Sequence, residues 1–391
     1  MQASASRPSP QTALTGFVVA MVGFFSSFPI LLQGLVGVSA GPAEAASGLM
    51  AAALSMGLAG IVLSLATKVP ASVAWSTPGA AFLASAGTLE AGFSGAVAGF
   101  LVAGALTVLA GLWKPLGRLA AAIPGPLAQA MLAGVLLPIC VVPFTALAAS
   151  PAVVAPMVVA WFLLGRVSRL MAVPGAVLVA GVTIALTADL SAFAPGPLLR
   201  APLLVAPEFS LTAALGIGLP LFIVTMATQN IPGIAVLRAH GYTPAPGPLF
   251  AAVGGFSLLS APFGAPATCL AAITAALCAG DESDPDPARR YWSAVVAGLF
   301  YCGLGLFAGV ITAFVALAPP LLVAALAGIA LMGVFAASAS AALAGAEHRE
   351  AAAITFLVTA SGVTVAGLGG AVWGLLAGGL VLAAKRLTPR Q

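Results

Sequence analysis

The sequence predicts an all-α polytopic membrane protein, and three features point to that class together. Of its 391 residues, 61% are hydrophobic and 6% are charged, with a mean hydropathy of +1.14; globular chains carry roughly a quarter charged residues. Apolar runs long enough to cross a bilayer as helix, about 20 residues each, recur from end to end. None alternates residue by residue as a barrel strand must, and in hydrocarbon only helices or closed barrels satisfy their own backbone groups. Third, the basic residues segregate between alternate loops.

In chain order the spans fall at Ala13–Leu35, Ala45–Ala66, a short broken one at Ala71–Ser85, Gly92–Leu112, Ile123–Leu147, Pro151–Leu164 and Val173–Ala188. A second series follows at Phe209–Leu237, Pro248–Leu259, a broken one at Pro262–Ala279, Tyr291–Leu317, Pro319–Leu343, Ala351–Gly367 and Gly369–Ala384. Each series has seven, giving an expectation of fourteen. Lys and Arg accumulate in cytoplasmic loops. With the N-terminus cytoplasmic, 13 of the 14 Lys and Arg residues lie inside and only Arg200 lies outside. One missed span would invert every later loop, so this distribution supports the count. The pI near 9.1 reports topology, not nucleic-acid binding.

Several motifs resolve into packing or loops. The run Ala13–Leu35 is too long for a secretory signal. Cys140, Cys269, Cys278 and Cys302 lack metal-ligand spacing and read as inert packing residues. Gly37-Val38-Ser39-Ala40-Gly41 matches a nucleophile elbow but follows a membrane helix instead of a strand. The Gly-x-x-x-Gly pairs at Gly95/Gly99, Gly305/Gly309 and Gly374/Gly378 let helices approach closely. Asp281-Glu282-Ser283-Asp284-Pro285-Asp286 lacks the glycine and glutamate of a calcium loop and reads as a solvated cytoplasmic turn. No metal or cofactor site is expected.

The third and tenth spans share one grammar. "AWSTPGAAFLASA" (from Ala74) and "APFGAPATCLAAI" (from Ala261) each carry an aromatic residue, small or hydroxyl residues, a proline and a short apolar helix. Aligning Pro78 with Pro266 pairs Trp75 with Phe263. Ser26-Ser27-Phe28-Pro29 pairs likewise with Gln229-Asn230-Ile231-Pro232. Both pairings join span n to span n+7, and seven being odd, the second copy lies upside down. Interrupted helices at corresponding positions of inverted repeats point to a transporter's midplane site.

The residue before a proline leaves the helical region. Spans three and ten are therefore expected to be half extended and half helical, with extended backbone at residues 74–77 and 262–265 and helices starting at Pro78 and Pro266. Their two N-termini would meet near the membrane centre, each with unpaired N–H groups and about half a positive charge, a pocket for an anion. Thr228, Gln229 and Asn230 lie beside it. Two amides in mid-span are costly unless partnered or lining a cavity, and Pro232 marks a further break.

The segments "AWSTPGAA", "ATQNIPGIAVLRAHGY" and "APFGAPATCLAAITAALCAG" resemble the benzoate membrane transporter (BenE) family over nearly the whole chain, which in fold is similar to nucleobase-ascorbate transporters and to sulfate or bicarbonate carriers. The resemblance implies a core made of residues 1–118 and 201–317, and a gate made of residues 119–200 and 318–391. It also implies uptake of benzoate with a proton across a bacterial-type inner membrane by elevator-like movement, with both termini cytoplasmic. A homodimer follows by analogy. On that reading the carboxylate meets N–H groups around Gly79 and at Ala267 and Thr268, with the hydroxyls of Ser76, Thr77 and Thr268 assisting and Pro78, Gly264 and Pro266 among the substrate-binding candidates. Phe25, Phe28, Trp75 and Phe263 would wall the ring, with Met332 and Phe335 covering it from the gate.

Nucleobase relatives carry acidic residues in spans eight and ten; here Gln229, Asn230 and Thr268 stand there. The proton would ride on benzoic acid itself or use Glu44 or Glu90. A nucleobase permease, an inorganic anion carrier and a passive channel remain as rivals, while a membrane enzyme lacks any intramembrane constellation of His, Cys and acid.

Overall fold

The computed structural model describes residues 7–87, 89–122, 124–189, 191, 193 and 201–387. Ile123, Arg200 and Arg390, counted above, lie outside them. The fold is a polytopic bundle of apolar helices. Eight described helices are long and apolar enough to cross a membrane, and one bent pair makes up to nine; two shorter apolar helices and two half-extended segments occupy other expected spans.

Helices α1 (Pro10–Phe25) and α2 (Phe28–Gly37) form the first rod, interrupted at Ser26–Ser27. There follow α3 (Pro42–Thr67), strand β1 (Val73–Trp75), α4 (Thr77–Ser85) and α5 (Gly92–Leu112). An amphipathic helix absent from the sequence reading, α6 (Lys114–Ala122), leads to α7 (Gly125–Ala149), α8 (Pro151–Val167) and α9 (Arg169–Thr187).

The second half opens with α10 (Leu211–Ala213), α11 (Leu219–Thr225) and α12 (Ile231–Ala239), joined by π turns at Ala214–Gly218 and Met226–Asn230 into one 29-residue rod, Leu211–Ala239. Next come α13 (Pro246–Ser260), a 3₁₀ turn at Ala261–Phe263, strand β2 (Thr268–Leu270) and α14 (Ala272–Ala279). Helices α15 (Tyr291–Leu306) and α16 (Ala308–Ala316) meet at a 55° bend flanked by Gly305 and Gly309. The series closes with α17 (Pro320–Leu343), α18 (Arg349–Ala360) and α19 (Gly370–Leu387).

Three expectations are corrected. Pro232 does not break its span: the π turn immediately before it widens the helix where the proline ring would clash and its missing N–H would leave a carbonyl unpaired. The tenth span's helix begins at Ala272, not Pro266, and residues 262–264, expected to be extended, belong to a 3₁₀ turn that ends at Gly264 with φ +90°. A proline disfavours helical backbone at its predecessor and sits equally well in extended backbone, and from Ala265 to Leu270 the chain runs extended because β2 finds a partner. The acidic loop is only partly a solvated turn: Asp281, Glu282, Pro285 and Asp286 are exposed, but Ser283 and Asp284 are buried, as is Arg290 just beyond it.

That partner is β1. The strands pair antiparallel, with Val73 opposite Leu270, Ala74 opposite Cys269 and Trp75 opposite Thr268. Ser76 N–H donates to the Ala267 carbonyl at 2.9 Å and Ala271 N–H to the Ser72 carbonyl at 3.0 Å, extending the ladder. Because each strand runs directly into its helix, α4 and α14 leave the ribbon in opposite directions.

The main apolar core gathers Phe24, Leu31, Leu49, Met56, Trp75, Leu83, Phe100 and Tyr301. A second gathers Val154, Met157, Ala176, Ala180, Leu322 and Ile329 from α8, α9 and α17. Glycines hold the helices close, as their spacing predicts. A Cβ on Gly99 would lie 2.7 Å from Ile217, one on Gly305 would lie 3.0 Å from Ala53 Cβ, and those on Gly374 and Gly378 would meet Thr359 and Thr355 of α18. Gly95 instead faces its own turn at Leu89 and Ala91. The four cysteines are free thiols.

Candidate functional site

The start of α4 is written in local sequence. Ser76 is the N-cap: its Oγ accepts from Gly79 N–H at 3.1 Å, and Pro78 occupies the first turn, where no N–H is needed. The same Oγ accepts from the Thr225 hydroxyl at 2.8 Å, and Ser76 is fully buried. It therefore builds the helix end instead of standing free. Thr77, the first helical residue, is half-buried, and its hydroxyl has no partner among the described residues. Gly79 is a close approach: a Cβ there would lie 2.5 Å from Leu221 Cδ1 and 2.8 Å from Ser76 Oγ.

The start of α14 is set by tertiary contacts. It has no side-chain cap. Leu270 N–H donates to Asn230 Oδ1 at 2.9 Å, and Ser72 Oγ donates to Thr274 Oγ1 at 2.8 Å. Asn230, fully buried, also places Nδ2 3.2 Å from Met226 Sδ. It is a bracket between the π turn and β2. Gln229 differs: it is half-buried, with no side-chain partner among the described residues. Thr228 returns its hydroxyl to the Val224 carbonyl at 2.7 Å.

Thr268 is not available in the expected way. Its N–H donates to Ser257 Oγ at 2.9 Å and its hydroxyl meets Ser55 Oγ at 2.6 Å. Pro266 and Ala267 are buried within the extended segment. Phe263 and Gly264 lie further from the junctions: the Phe263 carbonyl accepts from Ser47 Oγ at 2.9 Å, the preceding Pro262 carbonyl accepts from Val205 N–H at 2.8 Å, and Gly264 takes φ +90°. The amide tips that oppose α4 belong instead to Ala272, Ile273 and Thr274. Counting eight residues back from Gly280, about the length of α4, would have found them.

The aromatic wall is mostly a buried cluster. Trp75 is 2% exposed and donates through Nε1 to Ser27 Oγ at 3.0 Å. Its ring meets Phe24 edge-on at 5.4 Å, and Phe24 stacks on Phe28 at 5.7 Å. Phe24, missed in the sequence reading, is the hub; its spacing of four from Phe28 was the available signal. Phe25 and Phe28 also line an apolar crevice of about 490 Å³ shared with α9, α16 and α17. Phe335 and Met332 are half-buried against the main core.

No position in 72–79, 226–232 or 265–274 carries a charged side chain. Positive potential there comes from two helix ends, each equivalent to about half a unit charge, in a setting where hydroxyls and amides satisfy the backbone. Glu44, a candidate proton carrier, accepts Gly41 N–H at 2.7 Å and so caps α3. Glu90 is exposed between α4 and α5.

Comparison with known proteins agrees with this architecture. The transmembrane domain of the cyanobacterial bicarbonate transporter BicA superposes with a TM-score of 0.61 at 16% identity, covering 96% of this chain and 97% of that one. The murine Solute Carrier 26 family member A9 anion transporter, inward-facing, gives 0.61 at 13% identity over 99% and 70%. These likenesses concern the fold. In sequence, the inner membrane protein YdcO of Escherichia coli is 39% identical over 95% of both chains. The benzoate membrane transport protein of Acinetobacter baylyi is 33% identical over 95% of this chain and 94% of its own. The family model described as benzoate membrane transport protein matches residues 6–384. The chain therefore belongs to the benzoate membrane transporter (BenE) family and is a multi-pass membrane transporter.

Proposed function

We propose that this transporter imports benzoate or a similar aromatic carboxylate across the inner membrane together with a proton. The observation that carries this is the β1–β2 ribbon, from whose two ends α4 and α14 start in opposite directions with no charged side chain nearby. Such a pair of helix ends favours one negative charge without a permanent ion pair. The carboxylate meets the amide ends at Thr77 and at Ala272–Thr274, assisted by the Thr77 hydroxyl and the Gln229 amide. Among the described residues, the Gln229 amide and the Thr77 hydroxyl have no side-chain hydrogen-bond partner. The ring is accommodated toward Phe25 and Phe28, which flank an apolar crevice.

The site captures the substrate as its carboxylate, and the bound carboxylate itself takes up the proton before the crossing step. Glu44 is already engaged as a cap, and Asp and Glu are absent from the segments around the ribbon. The core of residues 1–118 and 201–317 slides against the gate of residues 119–200 and 318–391. Dense pairing of α3 with α15 and α5 with α13, apart from that of α7 with α17 and α8 with α9, supports two bodies, which meet across the main apolar core, where Met131, Leu132 and Leu331 of the gate join Leu31 and Leu83. Cytoplasmic termini and a homodimer complete the proposal.

Purified protein in liposomes tests it with labelled benzoate and an imposed pH step, inside alkaline. The expected result is saturable uptake that grows with the proton gradient and is competed by aromatic acids but not by sulfate or uracil. Uptake indifferent to the gradient refutes symport, sulfate competition favours an inorganic anion carrier, and lack of saturation favours a channel.

A further inference from the structure

Helix α14 has eight residues, about 12 Å of helix, and isolated helices below about 12–15 residues are marginal. Its direction is therefore set by what holds its ends. At the amino end stand the Asn230 and Ser72 contacts already described. At the carboxyl end, Arg290 Nη1 donates to the Ala279 carbonyl, the last of the helix, at 2.8 Å. The same guanidinium donates through Nε to the Asp284 carbonyl at 2.7 Å and through Nη2 to Asp281 Oδ1 at 2.5 Å. Ser293 Oγ lies 3.4 Å from the Cys278 carbonyl. Arg290 is 5% exposed, whereas its partner Asp281 has a side chain 94% exposed.

The two half-helices are thus fixed by opposite means. Helix α4 has a serine cap and a proline at its start and no basic residue in its last turn. Helix α14 has no side-chain cap at its start, and an arginine from the next element holds its finish. A planar guanidinium can bridge three acceptors in fixed directions, and a cation at a helix C-terminus complements the dipole whose positive end faces the substrate.

We infer that Arg290 is a positioning residue for the anion site: by clamping the carboxyl end of α14 it aims the amides of Ala272–Thr274 at the substrate, about 12 Å away. This rests on the reading that those amides bind the transported carboxylate. Arg290 touches neither the substrate nor the ribbon and acts through the helix alone.

The test uses the full chain in detergent micelles, with benzoate as the probe and Arg290→Gln, Arg290→Lys and Ser9→Ala as variants. Ser9 Oγ donates to Asp284 Oδ2 at 2.6 Å, so its loss loosens the same loop without releasing α14. The Kd for benzoate is expected to rise about tenfold in Arg290→Gln, the scale of a charge–dipole contact in a buried setting. The rise is smaller in Arg290→Lys and stays below twofold in Ser9→Ala; in transport, KM rises and the maximal rate holds. Where Arg290→Gln does not fold, Arg290→Lys decides. Hydrogen exchange in the absence of ligand is expected to quicken at residues 272–279 and not at 77–85.

Wild-type affinity together with wild-type exchange in the Arg290 variants overturns the inference, and so does an equal rise in Kd for Ser9→Ala. If the unmutated chain binds no benzoate, the functional reading fails instead, and exchange alone decides the role of Arg290.

Discussion

Replacing Asn230 with Ala tests the bracket that holds β2 in place. The side chain is fully buried and its Oδ1 is the acceptor for Leu270 N–H at 2.9 Å. Removing it strands a peptide N–H where water does not reach, a loss of about 1–3 kcal/mol. Hydrogen bonds between membrane helices average nearer ~0.6 kcal/mol, because the unfolded chain in lipid finds other partners. An extended segment has no intrahelical alternative at Leu270, so a value of about 1.5–2 kcal/mol is expected; the Met226 sulfur contact adds little. Thr228→Ala is the control. Its hydroxyl bonds a carbonyl four residues back in its own rod, so its loss changes stability by less than about 0.5 kcal/mol. Equilibrium unfolding in mixed micelles measures both, and hydrogen exchange at Leu270 should quicken at least about tenfold, since 1.36 kcal/mol corresponds to a factor of ten. An Asn230→Ala loss no greater than that of Thr228→Ala, with Leu270 still protected, would refute the reasoning.

Other substitutions probe the remaining joints. Gly79→Ala drives a methyl into Leu221 and the Ser76 hydroxyl; a loss of about 1–3 kcal/mol is expected, with Leu221→Ala in the same chain restoring part of both stability and uptake. Ser76→Ala leaves Gly79 N–H and the Thr225 hydroxyl without their acceptor, a loss of about 1 kcal/mol or more in unfolding and a lower benzoate affinity by titration calorimetry. Trp75→Phe removes the bond to Ser27 for about 1 kcal/mol; adding Ser27→Ala to it should change little further, a coupling that a double-mutant cycle reads directly.

What the sequence revealed and what it hid follow from how local each determinant is. The start of α4 was legible because Ser76, Thr77, Pro78 and Gly79 spell a helix start within four residues, and cap chemistry operates over one turn. The start of α14 was misread because it depends on β1 and on Asn230, both far away in sequence. At Pro266 strand pairing, not the proline, decides where the helix starts. Pro232 reads as a break in sequence, yet a π turn absorbs it, an adjustment with no fixed residue signature. Trp75 and Phe28 were chosen for their type, while burial, a tertiary property, made them core. The acidic loop was judged by composition; Arg290 and Asp284 are buried there because they hold α14 and α1 by hydrogen bonds that composition does not disclose. Helix packing at Gly99, Gly305 and Gly374 was read correctly, since a missing side chain permits close approach in any context.

The two-stranded ribbon has a consequence for how the protein is made. Its strands come from opposite halves of the chain, Val73–Trp75 and Thr268–Leu270, so nothing emerging early from the ribosome can complete it. Until the tenth segment arrives, the third leaves peptide groups unpaired in an environment that penalises them. Assembly therefore requires that segment to wait beside water, the insertion machinery or a neighbouring rod. A chain cut after Thr187 would lack β2 and could not form the ribbon.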